Sequence, residues 1–191
     1  MKKASLLLTI LISVAAFGQS ISSKIPVDSI TNKISFQGIL YIDSSAKSGE
    51  LFDRAKKWID RMYTSPVDVI QKEDRSNGEI VGKASMQVYC KSLGSDRQCG
   101  FINYSLFLYF KDGRFKYVVT NFIHSGQFVN GATIPSYGQC ENWLENSQVS
   151  AKKSERKISD YFLNQLNEKT LLLLDDLKTF MAKKINSTQD W

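Results

Sequence analysis

An α+β fold, one antiparallel sheet with helices packed on one face, is what this 191-residue chain predicts. Three observations predict it. Four strand-like runs follow one another between residues 67 and 122, joined by Asn77-Gly78 and Asp112-Gly113, which accept the positive φ angles of hairpin turns. Before them, apolar residues recur every three or four positions from Leu51 to Met62. After them, a second helical stripe runs from Ile158 to Met181.

At the start of the chain, Lys2 and Lys3 precede an apolar run, Ala4 to Phe17, that closes on Gly18-Gln19. A basic start, a short apolar middle and small residues at a cut site are the parts of a secretory signal peptide. The run is too short for a spanning helix, which needs about twenty apolar residues. A lipid anchor would need a cysteine at the cut, and the first cysteine is Cys90. The expectation is a signal peptide at 1–18, cleavage near Gly18, and a protein in the periplasm or outside the cell, with no transmembrane span in the mature chain. Removing 18 of 191 residues leaves 173, which suits one domain.

Residues 19–32 are polar and read as a leader segment, followed by a single domain over 33–186 and a tail at 187–191. From Lys33 to Ile42 the chain alternates, with Ile34, Phe36, Leu40 and Ile42 on one face, which predicts a half-buried strand. Ser48 is placed to cap the next helix. Its apolar face is Leu51, Phe52, Ala55, Trp58, Ile59 and Met62, with Arg54 among the polar residues opposite, and Pro66 stops it. The strands then read as Val67–Glu73, Ile80–Cys90, Gly100–Phe110 and Arg114–Phe122.

A two-residue turn at Asp112-Gly113 sets Phe110 opposite Phe115, Leu108 opposite Tyr117 and Leu106 opposite Val119, all on a core face. The other face then carries Asn103, Ser105, Phe107 and Tyr109 against Lys116, Val118, Thr120 and Phe122. Periodicity disappears over 125–153, which reads as a long loop with a short helical turn near Glu141 to Glu145. Residues 154–184 read as helix, where Leu171 and Leu172 widen the apolar stripe beyond one packing face.

Three cysteines in an exported chain leave at least one without an intramolecular partner. Cys90 and Cys99 flank an apparent hairpin loop, Lys91 to Gln98, and are the favoured disulfide. Cys99 falls out of phase with Ile102 and Tyr104, so a direct bond needs a bulge or an irregular loop. Cys140 competes for either partner or stays free.

The blocks Glu50-Leu51-Phe52-Asp53-Arg54-Ala55-Lys56-Lys57-Trp58-Ile59, Val69 to Asp74, Gly78 to Lys83, Lys111-Asp112-Gly113-Arg114-Phe115-Lys116-Tyr117 and Asn121-Phe122 come in a specific order. Together they resemble an uncharacterised domain with a TBP-like fold that recurs in exported proteins of Bacteroidota. The resemblance covers about Ile34 to Phe122, and the closing Asp190-Trp191 is also similar to that family. It implies a strand, a helix, a curved four-stranded antiparallel meander and a last helix. It implies no activity, and the fold's label licenses no claim about DNA.

Chemistry is sparse in the sequence. His124 is the single histidine, which excludes His-rich metal sites and H-E-x-x-H hydrolases. Nucleophile-elbow and phosphate-loop motifs are missing, and no cofactor, metal or catalytic residue is predicted. A Cys140–His124 pair can be drawn as nucleophile and base, but a structural cysteine and a solvated histidine are the ordinary alternatives. Lys152, Lys153, Arg156 and Lys157 form a basic cluster that reads first as a solvated helix entry. Lys2 and Lys3 supply two of the formal +6, leaving +4 on the mature chain, and neither that charge nor export suits nucleic acid.

The expected function is a noncatalytic binding or interaction module, monomeric or weakly oligomeric. Its partner is an envelope protein, peptide, glycan or small molecule, met on the aromatic-polar sheet face at Tyr89, Phe107, Tyr109 and Lys116. The alternatives are an enzyme acting on an envelope polymer, and a structural protein docking a partner through the last helix.

Overall fold

The computed structural model describes residues 25–92, 95–129, 132–148 and 153–183. The expected signal peptide, residues 19–24 of the leader, the tail and the side chains of Lys152, Lys153, Arg156 and Lys157 lie outside the described residues. Strand β1 (Ser35–Tyr41) leads to helix α1 (Ser48–Met62), a helical turn α2 (Pro66–Val69) and strand β2 (Ile70–Asp74). Long strands β3 (Glu79–Ser92), β4 (Ser95–Lys111) and β5 (Arg114–Ser125) follow. The chain then makes β6 (Gln127–Val129), β7 (Ala132–Ile134), β8 (Gly138–Gln139), α3 (Glu141–Gln148) and α4 (Lys153–Ala182).

The main sheet is antiparallel in the order β1-β5-β4-β3-β2, with β8 added beside β5. The first strand therefore pairs with the fifth, closing the meander on its far side. The turn at Asp112-Gly113 sets the predicted register: Leu106 faces Val119, Leu108 faces Tyr117 and Phe110 faces Phe115. All six are buried, under α1 and α4. Trp58 is fully buried in that layer and donates its indole N–H to Asp176 Oδ2 at 2.7 Å, tying α1 to α4.

Several expectations are corrected. Ser48 does not cap α1 through its own side chain; Asp112 does so from the β4–β5 turn, its Oδ1 accepting the Ser48 N–H at 2.9 Å. A carboxylate there also suits the positive end of the helix dipole, so the turn and the helix fix each other. Arg54, read as polar surface, is fully buried and donates to the Met181 carbonyl at 2.8 Å, at the C-terminal end of α4. Residues 66–69 are helical rather than strand, because Pro66 occupies the first turn and Ser65 bonds Asp68.

Phe122 leaves the outer face. A bulge opposite Tyr104, with Asn121 at φ 58°, turns Phe122 into the core against Phe36 and Tyr104. The stretch 125–153 carries the small β6–β7 hairpin, β8 and α3, so it is an ordered insertion over most of its described length. Residues 91–98 are largely strand, with Lys91 opposite Asp96 and an ion pair between them at 2.7 Å. Leu173, Leu174 and Leu177 of α4 are buried, whereas Leu171 and Leu172 are exposed.

Candidate functional site

Both long helices lie on one face of the sheet, and among the described residues nothing covers the other. Strand parity determines what that open face displays. Reading across the pairing, Ile39 of β1 lies opposite Lys116 of β5, which lies opposite Tyr109 of β4, which lies opposite Glu79 of β3. The next rows hold Gln37, Val118, Phe107 and Val81, and at the turn end Tyr41, Arg114 and Lys111. Tyr109 is 37% exposed, Ile39 55% and Tyr41 70%, high values for such large apolar groups.

A pocket of about 230 Å³ opens on this face, lined by Ile39, Tyr109, Lys111, Arg114, Phe115 and Lys116. The Arg114 guanidinium stands 5.8 Å over the Tyr41 ring. A broader groove of about 690 Å³ lies where the α1–α2 segment meets β3, β4 and β5, lined by Ser65, Asp68, Lys83, Ser85, Asn103 and Asn121, with others. Tyr63 and Tyr104 lie at its inner side, their hydroxyls 2.9 Å apart; burial and this neighbour push the Tyr63 phenol well above its usual range.

Three of the four expected binding residues, Phe107, Tyr109 and Lys116, meet on this surface. Tyr89 does not join them. It lies ten residues beyond Glu79 on β3, roughly 33 Å at the rise of a strand, and it packs against α4. There the Gln165 amide accepts the Tyr89 N–H at 2.9 Å and donates to its carbonyl at 2.8 Å. The side chain of Gln165 thus stands in for a neighbouring strand where β2 no longer pairs with β3.

Ile39, Lys111 and Arg114 are lining residues that the sequence does not point to, and Tyr41 lies beside them under the Arg114 guanidinium. Their parity is readable from Phe36 and Leu40, but not the pairing of β1 with β5, which joins segments some eighty residues apart.

Cys90 and Cys99 are joined by a disulfide with Cα atoms 5.6 Å apart. The register slips between Gln87 and Tyr89, placing Cys99 and Gly100 opposite one residue, Val88. Gly100 sits at φ +105°, and a Cβ there would collide with the Ser125 carbonyl, so only glycine makes this bulge. Cys140 is free and buried.

His124 is buried too. Its Nε2 donates to the Cys99 carbonyl at 2.8 Å, and its Nδ1 accepts the Tyr137 N–H at 3.2 Å. Both ring nitrogens serve the backbone, which fixes the neutral tautomer and leaves neither for a nucleophile. Burial lowers the His124 pKa, and burial with Glu141 nearby pushes the Cys140 thiol far up. The pair therefore locks the β5–β8 region, and its chemistry is unlike an activated thiolate. Among the described residues no group of three or more His, Cys, Asp or Glu is placed to hold a metal, and no helix is long and apolar enough to cross a membrane.

Comparison with known proteins places this architecture. No curated protein matches the chain. A DUF4468 family protein from Bacteroides ovatus ATCC 8483 superposes with a TM-score of 0.59 at 15% identity, covering 84% of this chain and 92% of that one. A TBP-like protein from Parabacteroides distasonis ATCC 8503 gives 0.57 at 14% identity, covering 81% and 97%. At such identities the likeness shows the fold alone. Residues 36–125 match the model of a domain of unknown function with TBP-like fold. That span runs from the second residue of β1 to the end of β5, and so takes in the whole of the meander, α1 and the open face. Residues 36–125 are a DUF4468 domain with a TBP-like fold, an α+β design shared with proteins of Bacteroides and Parabacteroides.

Proposed function

We propose that the protein is an exported, noncatalytic binding module of the cell envelope, and that it holds its ligand on the open face of the sheet around Phe107, Tyr109 and Lys116. One observation carries the reading. Large apolar side chains stand on the side of the sheet opposite α1 and α4, interleaved with cations, and nothing in the described residues packs on them. Aromatic and aliphatic surface left in water costs free energy, and a surface built this way gains most when a partner covers it. The reading excludes no chemistry elsewhere in the envelope; it assigns this chain the role of holding.

The exposed Leu171 and Leu172 favour a second reading, in which α4 docks another envelope protein. Two neighbouring side chains make a small patch, so the sheet face is the better supported.

Glycan and peptide arrays test the proposal. The mature protein should bind a coherent class, and Phe107→Glu with Tyr109→Glu should abolish that binding while circular dichroism stays unchanged. Binding that survives the double substitution, or no binding on any array, overturns it.

A further inference from the structure

The pocket at the turn end of the open face has a charge pattern that narrows the ligand. Three cations, Lys111, Arg114 and Lys116, line it, and no acidic residue does. Hairpin pairing brings them together: Lys111 lies opposite Arg114, and Lys116 lies one row along, opposite Tyr109. Like charges on adjacent rows of one hairpin repel, an arrangement that costs stability unless something neutralises it.

The carboxylates near it in the fold are already engaged. Asp112, in the turn itself, accepts from Lys47 Nζ at 3.1 Å and from the Ser48 N–H. Asp43, beyond the turn, accepts the Ser45 N–H at 3.0 Å. Glu79, across from Tyr109, is paired with Lys72. Among the described residues, Lys111, Arg114 and Lys116 have no carboxylate partner. Asp112 caps α1 and pairs with Lys47, and Glu79 pairs with Lys72, so the described residues leave three cations without an ion pair around one concavity.

The remaining lining is apolar. Ile39 and Tyr109 present exposed carbon surface beside the cations, and the Arg114 guanidinium lies 5.8 Å from the Tyr41 ring centroid, within cation–π range. A bare inorganic ion would meet the charges and waste the carbon surface. A neutral apolar molecule would cover the carbon and leave the cations unpaired.

We infer that this pocket binds an organic anion, a carboxylate carried on a planar or aliphatic apolar group. The inference deepens the binding role proposed above and rests on it for the open face. Arg114 is the residue suited to a two-point contact with the carboxylate, Lys116 and Lys111 flank it, and Ile39 and Tyr109 take the apolar part.

Phenylacetate, its isosteric neutral amide phenylacetamide, and inorganic sulfate are the probes, titrated into the ¹⁵N-labelled mature protein. Phenylacetate should give saturable shifts at Ile39 and over residues 109–116, with phenylacetamide and sulfate each at least about tenfold weaker. Arg114→Gln with Lys116→Gln should weaken phenylacetate about tenfold while the rest of the spectrum is unmoved, and Lys33→Gln, before β1 and outside the pocket, should leave it unchanged.

Equal binding of acid and amide, shifts confined to other surfaces, or no saturation at roughly 10 mM overturns the inference. The arrays separate its failure from that of the broader reading. Uncharged array ligands that need Phe107 and Tyr109 but tolerate Arg114→Gln would remove the anion and keep the binding face.

Discussion

Along β4, Leu106, Leu108 and Phe110 alternate with Ser105, Phe107 and Tyr109, and the two sets face different surroundings. The inward set lies under α1 and α4, at most 3% exposed, within the apolar core. Of the outward set Ser105 is buried beside Asn121, while Phe107 and Tyr109 meet a surface without a covering element among the described residues, where lysines and an arginine stand between apolar groups. One backbone makes both faces. The difference teaches that the sheet's stability is concentrated on its helix side, leaving the other side free to be chosen for contact.

The largest test of that contrast is a pair of truncations. Trp58→Ala on the packed side should cost about 3–5 kcal/mol in denaturant unfolding. Tyr109→Ala on the open side should cost no more than about 0.5 kcal/mol, as surface changes do. A large loss from Tyr109→Ala would mean that the open face is covered after all.

Next comes the disulfide, which packs at the margin of the core and pins the far end of the β3–β4 pair. Closing so short a loop is worth about 2.5 kcal/mol in the chain-entropy account, so Cys90→Ser with Cys99→Ser should lower stability by about that amount. Non-reducing peptide mapping should find Cys90 joined to Cys99 and Cys140 alkylatable only after unfolding.

Asp112→Ala should give a smaller drop in melting temperature than loss of the disulfide. It removes the cap on α1 and frees Lys47, and it should leave the pocket's three cations in place, so phenylacetate should still bind. An effect on binding as strong as that of Arg114→Gln would show that the turn, not the pocket, is being read.

The smallest effect is a pH dependence. His124 is held neutral by burial, so its folded pKa lies below the ordinary 6.5. The unfolded chain takes up a proton first as pH falls, and stability present above about 6.5 is lost progressively until the folded pKa is reached. Thermal midpoints from about pH 7 to about 5.5 should decline, and the decline should be shallower in His124→Gln. Binding on the open face should not follow that titration.

Much of this was legible in the chain. The turn dipeptide at Asp112-Gly113 determined the β4–β5 register, and spacing from Leu51 to Ile59 determined which side of α1 is buried, because local backbone geometry decides both. The need for a bulge to join Cys90 and Cys99 was also readable from parity, and Gly100 marks where the bulge is made. Arg54 was misread because helical periodicity assigns a side by charge; burial was decided by a carbonyl at the end of α4, 127 residues away. Phe122 was misplaced by a bulge in β5, which carries later side chains to the other face, and Tyr89 by its distance along β3.

The sequence by itself determined the elements, their order, the alternation that makes one sheet face apolar, and the family to which residues 36–125 belong. It could do so because strand and helix periodicities and tight turns are properties of neighbouring residues. Only the tertiary structure decided that β1 closes onto β5, that Asp112 and Glu79 are taken by other cations, and that Lys111, Arg114 and Lys116 are left facing Ile39 and Tyr109. Those outcomes depend on contacts between distant segments competing for the same few carboxylates, a competition no local pattern records.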